Sequence, residues 1–226
     1  MSTAYFIAGT DTGVGKTTIS CALLQAFAVG GKSTVGMKPV AAGCETTPLG
    51  LQNEDVTQLC AASSIEAPPE WVNPYALRAA VAPHLAAQLE QVELNLGVMV
   101  DAYQQLAHLA DVVIVEGVGG WMVPLNDHET SADLAQALQL PIILVVGMRL
   151  GCLNHALLTA QAIQAQGLQL HGWVANHIDP AMDLFQENVQ TLSARLAAPL
   201  LGVVPHATAP RQPQVLVPLL NISLLC

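Results

Sequence analysis

The chain has 226 residues, 52% of them hydrophobic and only 11% charged, and seven Lys+Arg against seventeen Asp+Glu give a formal net charge of −10. That length suits one large α/β domain, and the scarcity of cations excludes a nucleic-acid partner, whose phosphates demand a basic surface. The longest apolar run, LPIILVVGM at 140–148, is far short of the ~20 residues a membrane-spanning helix needs, so no membrane partner is expected.

In chain order, YFIAG (5–9) reads as a buried strand, followed by the glycine-rich GTDTGVGKT (9–17). A helix is then expected from Lys16 to Ala28, with Ile19, Leu23, Leu24 and Phe27 on one stripe. STVGMKPV (33–40) reads as a second strand that ends at Lys38-Pro39. The region 43–95 carries Pro48, Pro68, Pro69, Pro74 and Pro83 and reads as an irregular excursion with one or two short helices. It is either an inserted surface loop or a carrier of substrate contacts. Further strands are expected at 111–117, 141–147, 171–176 and 200–205, with helices at 97–109, 130–138, 153–166 and 182–195. Apolar strands separated by helices indicate a mostly parallel sheet covered on both faces. No linker divides the chain, so residues 1–226 are expected to form a single domain. The fold class is α/β and P-loop NTPase-like.

The chemistry gathers at the carboxyl ends of these strands, where open parallel sheets bind ligands. A glycine-rich turn between strand and helix directs backbone N–H groups at phosphate oxygens. Lys16 would reach the β- and γ-phosphates, and the Thr17 hydroxyl would ligate Mg²⁺. The loop is one residue longer than the usual P-loop: five residues, not four, separate Gly9 from Gly15. Glu116, at the end of an apolar strand and before GVGG (117–120), is a second Mg²⁺ ligand or an exposed strand-end acid. Asp55 is a third ligand or the cap of a short helix. Lys38 stabilises charge on a transferring phosphoryl group, holds an anionic substrate, or is a solvated strand-end lysine. The five cysteines form no C-x-x-C pair, and the histidines show no metal-binding spacing. Reduced thiols are expected. No charged segment precedes a hydrophobic one as in a signal peptide, so a cytoplasmic protein is expected.

Taken in order, GTDTGVGKT, KPVAAG (38–43), VNPY (72–75), APH (82–84), VEGVGGW (115–121), ILVVGMRLGCLNHALLT (143–159) and GWVAN (172–176) resemble the dethiobiotin synthetases. The resemblance runs from Tyr5 to about Pro205. It implies an ATP-dependent ligase of biotin biosynthesis that joins CO₂ to 7,8-diaminopelargonic acid and closes the ring of dethiobiotin. It further implies Lys16 and Lys38 as catalytic residues and Thr17, Asp55 and Glu116 as Mg²⁺ ligands. By the same resemblance ATP is held by Gly13, Val14, Gly15, Lys16, Thr17, Thr18, Asp55, Glu116, Gly117, Val118 and Gly119. Asn176 and His177, with Pro205, His206 and Ala207, would line the adenine pocket. The diamine would meet Thr12, Lys38 and Ala42. Its carboxylate would meet the helix-opening turn Gly151, Cys152, Leu153 and Asn154 of the second subunit of a homodimer, although Asn154 also reads simply as a helix cap. A dimer would also account for the apolar composition.

This chain departs from its relatives at three of these positions. Many have serine at Ala42, an acidic residue is common at His177, and some have glutamate at Gly13. Two other P-loop classes fit the residues less well. Cobyrinate-type amide synthases carry an added glutamine-hydrolysing domain for which the chain has no room. Partitioning ATPases carry a signature lysine five residues before the main one, where this chain has Asp11.

Overall fold

The computed structural model describes residues 2–48, 50–209 and 212–225. Strand β1 (Thr3–Gly9), buried from Ala4 onward, leads through the glycine-rich loop into α1 (Lys16–Val29) and then β2 (Thr34–Met37). The excursion follows: β3 (Val40–Ala42), β4 (Glu45–Thr47), β5 (Gly50–Gln52), α2 (Glu54–Ala62), α3 (Pro69–Val72), β6 (Tyr75–Leu77) and α4 (Pro83–Glu90). The chain returns through α5 (Leu96–Leu109) to β7 (Val112–Glu116), α6 (Ser131–Leu138), β8 (Ile142–Met148), α7 (Cys152–Ala165), β9 (Leu170–His177), α8 (Phe185–Arg195) and β10 (Leu200–Val204). Two 3₁₀ turns, Pro213–Leu219 and Ile222–Leu225, follow the last strand.

The six central strands lie in the order β10-β9-β8-β1-β7-β2, and every pairing is parallel. Alternate residues of a strand face opposite sides, and both sides here are apolar. Phe6, Val113, Leu144 and Trp173 pack with Met99, Leu106, Leu134 and Ile163 from α5, α6 and α7. Ile7, Ile114, Val145 and Val174 pack with Ile19, Leu23, Leu24 and Phe27 of α1 and Leu59 of α2. Each fully buried aliphatic side chain contributes about 1.5–3 kcal/mol. Sheet burial on both faces explains much of the apolar composition. The expected P-loop-type sheet covered by helices on both faces is the observed one.

Two expected boundaries and one expected helix count differ most. The strand expected over 33–40 stops at Met37, because Pro39 has no N–H for the ladder and the Lys38 N–H donates to the Val72 carbonyl (2.8 Å). Val40 then starts β3, which pairs with β6 in a separate small sheet. The helix expected over 182–195 begins at Phe185, after a turn closed by Met182 N–H on Asp179 O and a left-handed Leu184 at φ 52°. The excursion holds three helices rather than one or two, since the four-residue α3 starts at Pro69, whose fixed φ suits a first helical turn.

Residues 212–225, which carry no motif, close the sheet edge. Asn221 N–H donates to Leu201 O (2.7 Å), and the Tyr5 hydroxyl donates to Leu225 O (2.6 Å). Leu216, Leu220 and Leu225 are buried against the α1 side of the sheet. A Cβ at Gly202 would run into the Leu219 backbone carbonyl. Gly202→Ala should therefore destabilise the protein by about 1–3 kcal/mol. A fall of several degrees in the thermal midpoint is expected; an unchanged midpoint would contradict this role for the segment.

Among the described residues no helix is long and apolar enough to cross a membrane. Cys21, Cys44, Cys60 and Cys152 are free thiols, as expected, and Cys226 lies outside the described residues. Burial, with the nearby Glu116 and Asp55 charges, pushes the Cys21 thiol up to about 12.

Candidate active site

The loop after β1 turns into α1 through Gly15, whose φ of 90° lies in the left-handed region that favours glycine. Asn176, at the end of β9, reaches across to donate to the Val14 carbonyl (2.8 Å), and a Cβ at Gly15 would collide with its amide nitrogen. The side chains that follow are buried although charged. Lys16 is 7% exposed, Lys38 4% and Glu116 1%.

Each is placed by its own element. Lys38 stands where the chain leaves β2, and the Asn73 amide donates to its carbonyl at 2.6 Å, fixing the kink before Pro39. Glu116 ends β7 beside Ile7 of β1. Asp55 lies in the first turn of α2, whose cap is Asn53, since Asn53 Oδ1 accepts the Asp55 N–H at 3.0 Å. Asp55 is therefore free of the capping task that its sequence position also allowed. Asn154 is likewise not the cap of α7, which opens at Gly151.

These groups converge. Lys38 Nζ donates to Glu116 Oε1 at 2.5 Å and to Asp55 Oδ2 at 3.0 Å. Thr17 Oγ1 donates to the same Glu116 oxygen at 2.9 Å. Lys16 Nζ rests on the carbonyls of Gly119 (2.6 Å) and Asp11 (3.2 Å). Burial pushes the Lys16 ammonium down to about 8, with the Lys38 charge acting in the same direction. Burial also opposes the Lys38 charge, but Glu116 and Asp55 outweigh it and hold that lysine above its usual value. Partial burial opposes the Asp55 charge as well, and Lys38 beside it nevertheless keeps the carboxyl below its usual range. Neither Lys38 nor Glu116 is a solvated strand-end residue.

A cavity of about 860 Å³ opens over this cluster, with Thr12, Gly13, Gly15, Lys16, Thr17, Thr18, Lys38, Ala42, Asp55, Glu116, Val118 and Gly119 on its walls. Its volume lies within the usual range for ligand sites. Val14 and Gly117 do not line it: Val14 is buried, and Gly117 N–H is used by Ile7 O. His177 and His206 meet on the Asn176 side of the loop, with ring centroids 6.2 Å apart, and His177 stacks on Phe185 at 4.1 Å. Gly151 to Asn154 open α7 outside the cavity, and the Cys152 thiol is buried. Asn73 and the far wall at Ala80–Pro83 and Met122–Pro124 complete the site without a role expected for them from the sequence. Asn73 and Pro83 do fall in the VNPY and APH motifs, which were the available signal.

The donor set suits Mg²⁺, a hard cation that takes oxygen ligands and keeps part of its water shell. Thr17, Asp55 and Glu116 offer only oxygens. Glu116 Oε2 is buried without a hydrogen-bond partner, and such an atom calls for a cation or water.

The family profile described as "AAA domain" matches residues 3–214. The protein named ATP-dependent dethiobiotin synthetase BioD from Nitrosospira multiformis is 57% identical over 206 residues, covering 91% of this chain and 89% of that protein. Its namesake from Aromatoleum aromaticum is 55% identical over 212 residues, covering 94% of each. Among solved structures, the septum site-determining protein MinD of Pyrococcus horikoshii with Mg-ADP aligns with a TM-score of 0.59 at 14% identity, covering 99% of this chain and 89% of that one. The cell division protein FtsY of Thermotoga maritima aligns at 0.52 and 18% identity, over 98% and 69%. At such identities these structures speak to the fold alone.

Proposed function

Because this chain belongs to the family of ATP-dependent dethiobiotin synthetases, we propose that the cavity over Lys16, Lys38 and Glu116 is where diaminopelargonic acid is converted to dethiobiotin. The observation that carries this reading is the buried cluster in which Lys38 bridges Glu116 and Asp55 beside the phosphate loop. One amine of the substrate adds CO₂ and releases a proton, giving a carbamate. A carbamate oxygen then attacks the γ-phosphorus of ATP, and ADP leaves. The second amine attacks the carbonyl carbon of the resulting mixed anhydride, loses its proton, and expels phosphate as the ureido ring closes.

A carbamate is a weak nucleophile, so catalysis consists mainly of positioning and charge neutralisation. The backbone N–H groups of Gly13 to Thr18 cradle the phosphates at the start of α1. Lys16 moves from the Gly119 carbonyl to the β- and γ-phosphates. Lys38 lies against the carbamate and the transferring phosphoryl group, where its retained charge offsets the developing negative charge. Thr17, Asp55 and Glu116 would hold Mg²⁺, which when bound would supply Lewis-acid neutralisation of the phosphate oxygens. Thr12 and Ala42 border the diamine, and a hydroxyl common at position 42 in relatives is here replaced by a methyl group. Asn176, His177 and 205–207 receive the adenine.

The substrate carboxylate is held by the α7-opening turn, Gly151 to Asn154, of the second subunit in a homodimer. Exposed apolar side chains support such an interface: Leu150 is 94% exposed, Leu158 56% and Leu89 72%. The protein acts in the cytoplasm. Purified protein incubated with Mg-ATP, bicarbonate and 7,8-diaminopelargonate should form dethiobiotin, read by mass spectrometry. Light scattering of the same sample should give twice the chain mass. Absence of product at ample protein concentration rejects the activity, and a fully active monomer rejects the dimer.

A further inference from the structure

Asp11, which lies in the lengthened phosphate loop, carries three contacts of different kinds. Its Oδ1 accepts the Thr12 N–H at 2.7 Å, and its carbonyl accepts Lys16 Nζ at 3.2 Å. Its Oδ2 accepts Arg149 Nη2 at 2.5 Å. Arg149 follows directly on β8, and its carbonyl accepts the Cys152 N–H at 3.0 Å, so its backbone is fixed at the opening of α7. The same seam is continued by Thr10 N–H on Val145 O (3.1 Å) and Gly147 N–H on Thr10 Oγ1 (3.3 Å).

A carboxylate is an unfavourable neighbour for a triphosphate. Left unpaired, Asp11 would repel the ligand that the loop is built to hold. An extra residue also adds backbone freedom that binding must remove, at roughly 1–2 kcal/mol per residue fixed. One guanidinium answers both problems, since it neutralises Asp11 and ties it to the sheet. The Asp11 and Arg149 side chains are 45% and 43% exposed, so the pair itself contributes little to global stability. Its consequence is local, in the geometry and charge of the loop.

We propose that Arg149 is a positioning residue for nucleotide binding, acting through Asp11 to neutralise and pre-organise the lengthened phosphate loop. This rests on the reading of that loop as the ATP site. Arg149 acts through Asp11 and not on a phosphate, so its loss should weaken binding without slowing chemistry.

The test measures Mg-ADP and Mg-ATP affinity by calorimetry, together with kcat and KM, for the wild type, R149M, R149K, D11N and the D11N/R149M double variant. R149M should bind nucleotide about ten-fold more weakly while kcat at saturation stays within about three-fold. R149K should recover most of the loss. The double variant should bind more tightly than R149M, because the stranded carboxylate is gone. Unchanged affinity in R149M, a fall in kcat that matches the fall in affinity, or a double variant no better than R149M would each overturn the proposal. A wild-type protein that binds no nucleotide would instead reject the ATP site itself, and the tether with it.

Discussion

Lys38→Ala is expected to lower kcat by about 10²–10³-fold, the loss that follows removal of one pre-organised donor from a site of developing negative charge. The same change should destabilise the fold. Lys38 and Glu116 side chains are 5% and 0% exposed, and their 2.5 Å contact leaves Glu116 without its main counter-charge once the ammonium is removed. Breaking a buried pair from one side costs about 3–5 kcal/mol, whereas replacing both partners by neutral groups can be close to neutral. The double variant Lys38→Met/Glu116→Gln should therefore recover much of the thermal stability and none of the turnover. This separates the structural and catalytic parts of one side chain. The pH dependence has a definite sign. Lys38 is held above its ordinary value of 10.5. Its stabilisation is thus fully present below that value and fades only as pH rises through the higher folded one. A K38A enzyme keeping more than a tenth of wild-type turnover would remove Lys38 from the reacting centre.

Glu116→Gln should produce the second large effect, of a different kind. The substitution keeps the volume and an oxygen that can accept from Thr17 Oγ1, now 2.9 Å from Oε1. It removes the charge that balances Lys38, and it replaces the unpartnered Oε2 by an amide nitrogen that cannot ligate a cation. The Mg²⁺ concentration needed for half-maximal activity should rise at least about ten-fold, since even supporting residues of metal sites cost 10–100-fold. At saturating Mg²⁺, kcat should still fall by about 10²-fold. Titrating activity with Mg²⁺ at fixed ATP decides this. An unchanged Mg²⁺ profile would show that Glu116 serves only as the structural counter-charge of Lys38.

Much of this architecture was legible because its signals are local. Strands β1, β7 and β8 are unbroken apolar runs, and α1 follows the loop with its stripe Ile19, Leu23, Leu24 and Phe27. Glu116 was legible because an acid ends such a run. What could not be read were distances across the sequence. Nothing in STVGMKPV states that the Lys38 backbone pairs with Val72, or that Asn73 holds the kink. Asp55 was ambiguous until Asn53 was seen to take the cap, because both residue types favour that position. Arg149 went unassigned because its partner lies 138 residues away, on the other side of the β1–β8 seam. Residues 212–225 show no pattern, since their work is done by a few contacts such as Tyr5 to Leu225 and not by periodicity.

The proposed role of Lys16, Lys38 and Glu116 is to serve attack of a carbamate oxygen on ATP. Isotope transfer tests it most directly. The enzyme is given 7,8-diaminopelargonate and Mg-ATP with freshly added ¹⁸O-labelled CO₂, and the released phosphate is analysed by mass spectrometry before the label exchanges with water. Phosphate carrying one ¹⁸O from CO₂ is the predicted result, because the oxygen that attacks phosphorus leaves with it when the ring closes. Dethiobiotin formed together with unlabelled phosphate would exclude attack by a carbamate oxygen.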